Sequence, residues 1–513
     1  MIYSERISLP AWKRIILFLI SVIFMLLQLG IFGLAIYFSI DSATHIGIIF
    51  AVEEISGLLL CFTVVRRNIN ANYKLTWCIL ILMLPVFFGV LYLLNLTSRQ
   101  ISKNKRTKMR NNVKKYDFDN AIEETKDINI DYYNAAKVVG NTTFAPVSNC
   151  SRFTFFKDAK EKDDDMFESL KKAEKYIFLE YFIISPGKLT DELLEILEER
   201  GNSGVIIKIL YDDIGCRGQR NGKILKKLAR IQNCEVCAYE ALGTNLNILA
   251  NYRNHRKLAV IDYKIAYCGG DNLADEYVHY EERFGYWRDN SGKYEGEAAF
   301  SFAIQFLEMW YASTKTLLEY DETIEIPKYE SNGYVMPFTD GPQYVGNVTY
   351  DLFSTMISSA KKSIYISTPY FIIDDALLDL LELKCRQGLD VRILMPHIPD
   401  KKSAFYMGRE RFGSILKENG KIYEFTRGFT HAKNIIIDDS YAYIGTANMD
   451  YRSLFLHFEN GALVMNDTEI KKMSDDYINT INESELITLE KWLKRPIRQR
   501  LLAFFLNIFS PMF

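Results

Sequence analysis

Two motifs in the chain pair an imidazole with a cation that can bind phosphate. In each, His is followed two positions later by Lys, then by Asp after four residues, and by a small-residue step and Asn after six more. The first motif consists of His255, Lys257, Asp262, Gly269, Gly270 and Asn272. The second consists of His431, Lys433, Asp438, Gly445, Thr446 and Asn448. One His-x-Lys carries little weight, but two complete matches are highly specific.

The spacing indicates what the first three motif positions do. Alternate residues of a strand point to the same face, so each His shares a face with its Lys. This arrangement predicts His255, Lys257, His431 and Lys433 as catalytic residues. The motif carboxylates lie seven positions beyond their histidines, an odd number, at a point where the strand turns. Within this catalytic motif, we expect Asp262 and Asp438 to tie the turn or to pair with a nearby cation, and not to contact the imidazole.

The last positions of each motif suit the oxygens of a phosphate group. A Gly-Gly or Gly-Thr step lets the backbone approach phosphate closely, which assigns phosphate binding to Gly270 and Thr446. Asn272 and Asn448 supply neutral amide donors. Together the two motifs predict nucleophilic attack on a phosphodiester at one composite site.

The elements that must position these residues also occur twice. Each copy is a buried strand run, an amphipathic helix, a Gly-containing turn and a second strand. The first copy comprises Tyr176–Ile184, Leu189–Arg200 and Val205–Leu210. The second comprises Ser363–Ile373, Ala376–Arg386 and Val391–Met395. This order predicts an α/β fold with two similar lobes, residues 141–330 and 331–513, in which helices flank the sheets.

Residues 1–98 differ from the rest and predict a transmembrane anchor. Ile15–Ile40 and Leu75–Leu96 are apolar runs long enough to cross a bilayer as helices. The run between them, His45–Val65, carries Glu53 and Glu54, which are costly at mid-bilayer. We therefore favour two spans with an interfacial or re-entrant segment between them, and three spans remain open.

A basic linker, residues 99–140, follows the anchor. Eight Lys and Arg residues crowd its first part, and Lys13 and Arg14 precede the first span. By the positive-inside rule, both ends of the anchor face the cytoplasm, which requires an even number of crossings. The expected location is the cell membrane, multi-pass, with the catalytic domain on the cytoplasmic side.

Composition limits the other function classes. The 513-residue chain has a formal net charge of −2, so no global charge favours nucleic acid. Its eight cysteines include one Cys-x-x-Cys pair, Cys234 and Cys237, with no second pair or His nearby in sequence. Free thiols are the simpler interpretation, and no metal site is expected.

The chain resembles the phospholipase D superfamily of HKD enzymes and, within it, the bacterial cardiolipin synthases. Beyond the two motifs, the resemblance includes Thr368–Phe371, Asn448–Ser453 and the tail from Trp492 to Phe513. It implies that one motif histidine forms a phosphohistidine while the other protonates the leaving alcohol, without metal or cofactor. His255 is assigned the attack by family habit, and the near symmetry of the motifs allows the roles to be exchanged.

A nucleophilic imidazole needs a carboxylate on its other nitrogen. The resemblance places that residue downstream of each motif, which selects Glu295 for the first lobe and Glu459 for the second. Glu297 is a close rival of Glu295. Four histidines fall outside the motifs and are expected in structural or surface roles, namely His45, His279, His397 and His457.

The anchor favours a lipid substrate over nucleic acid, because an enzyme gains effective concentration by staying where its substrate is. The resemblance sharpens this to transfer of a phosphatidyl group between two phosphatidylglycerol molecules, giving cardiolipin and glycerol. Partners are then phosphatidylglycerol, other anionic phospholipids and the membrane, which the basic apolar C-terminal tail would contact. Alternatives on the same scaffold are a hydrolytic phospholipase D and a phosphatidylserine synthase. A catalytically silent membrane scaffold is a remote alternative.

Overall fold

The structure is a computed structural model that describes residues 43–67, 69–98, 120–216, 219–239, 252–318, 320–331 and 333–512 continuously. These residues form two compact units. The smaller unit contains the described residues up to 98 together with those from Ile508 onwards. The larger unit contains the described residues from 120 to Asn507 and carries both motifs.

The described part of the smaller unit contains the helices α1 (Ala43–Val65), α2 (Ala71–Met83) and α3 (Pro85–Ser98). Trp77, Ile81 and Tyr92 are buried among them. A short 3₁₀ turn, Ser510–Met512, belongs to the same unit, and the Thr76 hydroxyl donates to the Ile508 carbonyl at 2.7 Å.

The second predicted span, Leu75–Leu96, is two helices and not one. Leu84 has an extended backbone, with φ −143° and ψ 82°, and Pro85 starts the next helix. Proline disfavours helical geometry at the preceding residue and has no N–H for the helix ladder. Across the described residues, no helix is both long and apolar enough to cross a membrane. The first predicted span, Ile15–Ile40, lies outside the continuously described residues.

Part of the predicted basic linker is ordered helix. Residues from 120 onwards contain α4 (Glu124–Ile128) and α5 (Ile130–Thr143). Tyr132, Ala136 and Val139 of α5 are buried in the core of the second lobe. The basic residues that defined the linker lie outside the described residues.

The first lobe is a seven-stranded mixed sheet with helices around it. Its elements are β1 (Arg152–Phe156), α6 (Ala159–Lys171), β2 (Tyr176–Tyr181), α7 (Lys188–Asn202), β3 (Ile206–Asp212), α8 (Gln219–Leu228), β4 (Cys234–Tyr239), β5 (Lys257–Ile261), β6 (Ile265–Gly269), a 3₁₀ turn (Asp275–Val278), β7 (Tyr286–Arg288), β8 (Ser291–Glu295) and α9 (Glu297–Thr314). The strand order is β1-β8-β6-β5-β2-β3-β4.

The second lobe is an eight-stranded mixed sheet. Its elements are β9 (Tyr334–Asp340), α10 (Val348–Ser359), β10 (Ser363–Ser367), β11 (Phe371–Ile372), α11 (Asp375–Arg386), β12 (Asp390–Pro396), α12 (Lys402–Lys417), β13 (Lys421–Phe425), β14 (Gly428–Thr430), β15 (Asn434–Ile437), β16 (Tyr441–Gly445), β17 (Met449–Asp450), α13 (Tyr451–Phe455), β18 (Glu459–Met465), α14 (Glu469–Asn482), β19 (Glu485–Ile487), α15 (Leu489–Leu493) and α16 (Ile497–Ile508). The strand order is β19-β13-β12-β10-β15-β16-β18-β9.

The two sheets repeat one topology, with β19 added at one edge of the second. In the first lobe β2, β3 and β4 are parallel, while β5, β6 and β8 run antiparallel to their neighbours. The second lobe repeats this with β10, β12 and β13, and with β15, β16 and β18. The predicted two-lobe α/β fold with mixed sheets is confirmed. The predicted run Ser363–Ile373 divides into β10 and β11 at Pro369, which has no N–H to donate.

Backbone pairing between the lobes brings the two motifs together. Strand β7 of the first lobe pairs in parallel with β14 of the second. Just beyond it, the His431 N–H donates to the Arg288 carbonyl at 2.7 Å. At the equivalent place on the other side, the His255 N–H donates to the Phe458 carbonyl at 2.9 Å. Each histidine is therefore held by the backbone of the opposite lobe.

Candidate active site

The two motif pairs are buried at the junction of the lobes. His255 and His431 are 9% and 7% exposed, and Lys257 and Lys433 are 2% and 1% exposed. Lys257 begins β5 and His255 lies just before it, and His431 and Lys433 lie just before β15. Each of these strands forms a hairpin with the strand that follows it. The charges of both lysines and of His431 act on His255, so all four side chains share one electrostatic environment.

Each imidazole is hydrogen-bonded through Nδ1 to a carboxylate from the opposite lobe. Nδ1 of His255 lies 3.0 Å from both carboxylate oxygens of Glu459. Nδ1 of His431 lies 2.7 Å from Oδ2 of Asp289. An ionised carboxylate only accepts, so each Nδ1 carries the proton and each Nε2 keeps its lone pair. Both histidines therefore have the tautomer that nucleophilic attack or proton acceptance requires.

The predicted orienting residues need a correction. Glu459 contacts His255 and not the histidine of its own lobe, while His431 is oriented by Asp289, which the sequence analysis missed. Glu295 ends β8, where its carboxylate lies 3.5 Å from Arg152. Its rival Glu297 pairs with Ser148 and Lys328.

The missed residue carried a signal in the repeat itself. Asp289-Asn290 comes directly before β8, and Glu459-Asn460 begins the equivalent strand β18. Aligning the two repeats on a carboxylate followed by Asn would have selected Asp289. The prediction failed because it assumed that each lobe supplies the partner of its own histidine.

Burial changes the charge state of the site lysines. Desolvation lowers the pKa of Lys257 to about 7, opposed by Glu459 and reinforced by Lys433. The pKa of Lys433 falls to about 8 for the same first reason, opposed by Asp289 and Glu459. Their ammonium groups donate to the carbonyls of His255 and His431. A bound anion would favour the charged form of both lysines.

Burial also favours the neutral form of both imidazoles. Desolvation, followed by the charges of Lys257 and Lys433, holds the pKa of His255 well below its usual range. Desolvation and Lys433 lower the pKa of His431 to about 4, opposed by Asp289. Neutral imidazoles suit nucleophilic attack, whereas an acid role requires a bound negative charge to raise the pKa again.

The motif aspartates tie strands and do not touch the imidazoles. Asp262 accepts from the N–H groups of Glu174, Lys175 and Tyr176 at 2.7–2.8 Å. Asp438 accepts from the equivalent groups of the second lobe, at 2.7–2.9 Å, which belong to Lys361, Lys362 and Ser363. The structure thus places Asp262 and Asp438 at the turn of each hairpin, holding the start of the neighbouring strand.

In the structure, Thr446 binds the carboxylate of Glu459 and Gly270 leaves room for that of Asp289. The sequence predicted phosphate contacts for both residues. The Thr446 hydroxyl donates to Glu459. A Cβ at Gly270 would lie 2.1 Å from Oδ1 of Asp289, so a larger residue there would displace the carboxylate. One lobe pairs Thr with the longer Glu, and the other pairs Gly with Asp.

The motif asparagines are buried beside the histidine strands. Asn272 accepts from the Ile183 N–H at 3.0 Å and donates to the Tyr277 hydroxyl at 2.8 Å. Asn448 donates to Asp450 at 3.0 Å. Each amide nitrogen has a second N–H, so binding of phosphate oxygens by Asn272 and Asn448 stays a prediction.

Two groups within the described residues have ligand atoms close enough to hold a metal ion. In the first, His255, His457 and Glu459, the N–H groups of the two imidazoles face the carboxylate and occupy the positions a metal would need. In the second, Glu424 is bound through both oxygens by Arg409. Both groups suit hydrogen bonding better than metal coordination.

Comparisons with known proteins agree with this arrangement. Residues 166–286 and 353–481 match the family described as cardiolipin synthase, PLD-like domain. A cardiolipin synthase of Alkalihalophilus pseudofirmus is 32% identical over 91% of this chain and 94% of its own length. One of Staphylococcus aureus is 33% identical over 88% of this chain and 93% of its own. A crystal structure of phosphatidylserine synthase from Haemophilus influenzae shares the fold, with a TM-score of 0.55, 16% identity, and coverage of 74% of this chain and 99% of that one.

The fold and the paired histidines define a phosphatidyltransferase of the phospholipase D superfamily. The chain belongs to the cardiolipin synthase family.

The crossed carboxylates give the first testable prediction. Glu459→Gln and Asp289→Asn each remove a negative charge that fixes the tautomer of an imidazole, so each should lower kcat by about 10²- to 10⁴-fold. Initial rates of phosphatidyl transfer measure this. Glu295→Gln is the matched control and should retain full activity. A Glu295 variant as impaired as the Glu459 variant would restore the original assignment.

Proposed function

We propose that this enzyme transfers a phosphatidyl group from one phosphatidylglycerol to another, giving cardiolipin and free glycerol through a phosphohistidine. The observation that carries the proposal is the pair of buried imidazoles, each with Nδ1 bound to a carboxylate and Nε2 unprotonated. Lys257 and Lys433 flank them, and burial lowers the pKa values of these lysines to about 7 and about 8. This geometry supports a two-step displacement in which one histidine attacks and the other moves the proton.

In the first step, Nε2 of His255 attacks the phosphorus of the donor lipid. The bond from phosphorus to the glycerol oxygen breaks, and His431 gives that oxygen a proton. The negative phosphodiester would raise the pKa of His431 in the complex and so allow it to carry this proton. Lys257 and Lys433 stabilise the developing charge on the phosphoryl oxygens, with Asn272 and Asn448 as neutral donors.

The second step reverses the first with a new alcohol. The terminal hydroxyl of a second phosphatidylglycerol gives its proton to His431 and attacks the phosphohistidine. The bond between phosphorus and Nε2 of His255 breaks, cardiolipin leaves, and both histidines return to their starting state. No net proton is consumed, because His431 regains in this step the proton it gave in the first.

Transfer is favoured over the two alternatives by the relatives. Named cardiolipin synthases match the chain over almost their entire length, whereas the phosphatidylserine synthase shares only the fold. Water would give phosphatidic acid in place of cardiolipin. The choice between water and alcohol depends on which molecule reaches the phosphohistidine.

We further infer that the enzyme works at the cytoplasmic face of the cell membrane, on phosphatidylglycerol and other anionic phospholipids. The apolar run Ile15–Ile40 and the basic residues that follow position 98 support attachment to this membrane face. The C-terminal helix α16 adds a second membrane contact. Its Ala503 is buried and its Leu506 packs on the second lobe, while Ile497, Leu501 and Phe505 are exposed.

Charge supports a lipid surface as the partner of α16. No acidic residue follows Glu490, whereas five basic residues do: Lys491, Lys494, Arg495, Arg498 and Arg500. An exposed apolar face with basic residues beside it binds anionic headgroups, with about 1 kcal/mol per basic residue near the surface.

A product assay tests the reaction. Purified enzyme with labelled phosphatidylglycerol should give cardiolipin and glycerol in equal amounts, and His255→Ala and His431→Ala should each lower the rate by at least about 10³-fold. His397→Ala, at an exposed position, is the control. Phosphatidic acid as the only lipid product would refute the transfer reaction. A phosphohistidine trapped on His431 in place of His255 would exchange their roles.

The lysines predict a limit to activity at alkaline pH. They bind phosphate when charged, and the charged form exists below the pKa, so kcat/KM should fall as pH rises through about 7 to 8. The profile of kcat should fall at higher pH, because bound lipid raises both pKa values. Lys257→Arg, which stays charged at the position with the lower pKa, should move the limb of kcat/KM upwards, towards the pKa of Lys433 at about 8. A flat kcat/KM up to about pH 10, the normal lysine range, would contradict this.

The surface of α16 makes a separate prediction. Exchanging Phe504 and Phe505 for Ser should raise KM for phosphatidylglycerol vesicles by about tenfold, because apolar contact with the bilayer is lost. The kcat in detergent micelles should stay unchanged, since neither residue contacts the motif side chains. Leu383→Ser, another exposed apolar position, is the control. An unchanged KM on vesicles would exclude this surface from lipid binding.

A further inference from the structure

His457 lies beside the site but has no part in the two-step reaction. It directly precedes the pair of residues that hold His255, namely Phe458 through its carbonyl and Glu459 through its carboxylate. Its ring centroid is 5.4 Å from that of His255, and the side chain is buried. Because this imidazole is buried so close to a catalytic one, the nitrogen that carries its proton affects the site.

The neighbouring arginine fixes that proton. The Nε–H of Arg452 donates to Nε2 of His457 at 3.0 Å. A guanidinium has no acceptor, so Nε2 must be the unprotonated nitrogen and Nδ1 must carry the hydrogen. Burial, the largest cause, lowers the pKa of His457 to about 3, so the ring is neutral and has only this one proton.

This proton points towards the carboxylate of the catalytic pair. Nδ1 of His457 lies 3.6 Å from Oε1 of Glu459, just beyond hydrogen-bond length, and is buried with no hydrogen-bond partner among the described residues. The same carboxylate accepts from His255 and from the Thr446 hydroxyl. A shift of a few tenths of an ångström would give Glu459 a third donor.

The other histidine has no such arrangement. The residue two positions before Asp289 is Trp287, whose ring lies 5.4 Å from the ring of His431. Asp289 accepts from His431 and from the N–H of Asn290. The two halves of the site are therefore chemically different, although their backbones match.

We propose that His457 is a positioning residue for His255 and acts through Glu459. Its Nδ1–H stabilises the negative carboxylate, which keeps the Nδ1 proton of His255 in place while the Nε2 of that ring bonds to phosphorus. Formation of the phosphohistidine makes the ring of His255 cationic, so this step depends on a negative carboxylate held against Nδ1. This inference rests on the proposed phosphohistidine mechanism.

The test compares two replacements of the same ring. His457→Phe keeps the shape but removes the donor, so kcat should fall by about 10- to 100-fold with KM unchanged. His457→Gln restores an N–H donor and should recover most of the loss. His397→Phe is the control for introducing a phenylalanine. Full activity in His457→Phe would overturn the proposal, as would equal losses in the Phe and Gln variants.

The pH profile separates positioning from packing. The groups that face His457 are Arg452 on α13, Glu459 on β18 and, across the lobes, His255. Loss of the donor strengthens the attraction of the Glu459 carboxylate for a proton on His255, so His255 binds a proton at higher pH. The acidic limb of kcat should therefore move upwards in His457→Phe, while the alkaline limb set by the lysines stays. An unmoved acidic limb would reduce His457 to a packing residue.

Failure of the wider mechanism has a different signature. If His255→Ala retained activity, the phosphohistidine mechanism would fail whatever the His457 variants did. If His255→Ala were inactive and His457→Phe fully active, only the positioning role would fail.

Discussion

The arrangement of this enzyme depends on two backbone hydrogen bonds that cross between the lobes. The N–H of each motif histidine donates to a carbonyl of the other lobe, at Phe458 or at Arg288. The residue after that carbonyl is the carboxylate that binds Nδ1 of the same histidine. Register along one short contact therefore fixes which imidazole meets which carboxylate. A slip of one residue would turn both carboxylates away, because neighbouring side chains of an extended segment point in opposite directions.

Local sequence predicted the parts whose contacts are local. The order of helices and strands follows from the repeated apolar patterns. Spacing along one strand predicts the four His and Lys side chains and the turns at Asp262 and Asp438. Spacing along one strand could not identify the partner of each histidine, since Glu295 and Asp289 are both acidic residues close to β8. Comparison of the two repeats distinguishes them, because Asn follows both Asp289 and Glu459. Pro85 stands inside the predicted span Leu75–Leu96, where the missing N–H and the restriction on Leu84 end one helix and begin another.

Electrostatics at the site is a balance between burial and paired charge. Removing water favours neutral imidazoles and weakens the charge of Lys257 and Lys433. The two carboxylates oppose this at the lysines and hold the protons of Nδ1. An anionic lipid headgroup adds the missing negative charge, so the site reaches its working protonation state only when substrate is present.

The matched pairs Thr446 with Glu459 and Gly270 with Asp289 also constrain how the enzyme can evolve. A longer carboxylate in place of Asp289 meets the space that Gly270 leaves, and a side chain at Gly270 meets the carboxylate. A side chain introduced at Gly270 should therefore be tolerated only together with a change at Asp289. The duplication has given two solutions to one geometric requirement, and the chain keeps both.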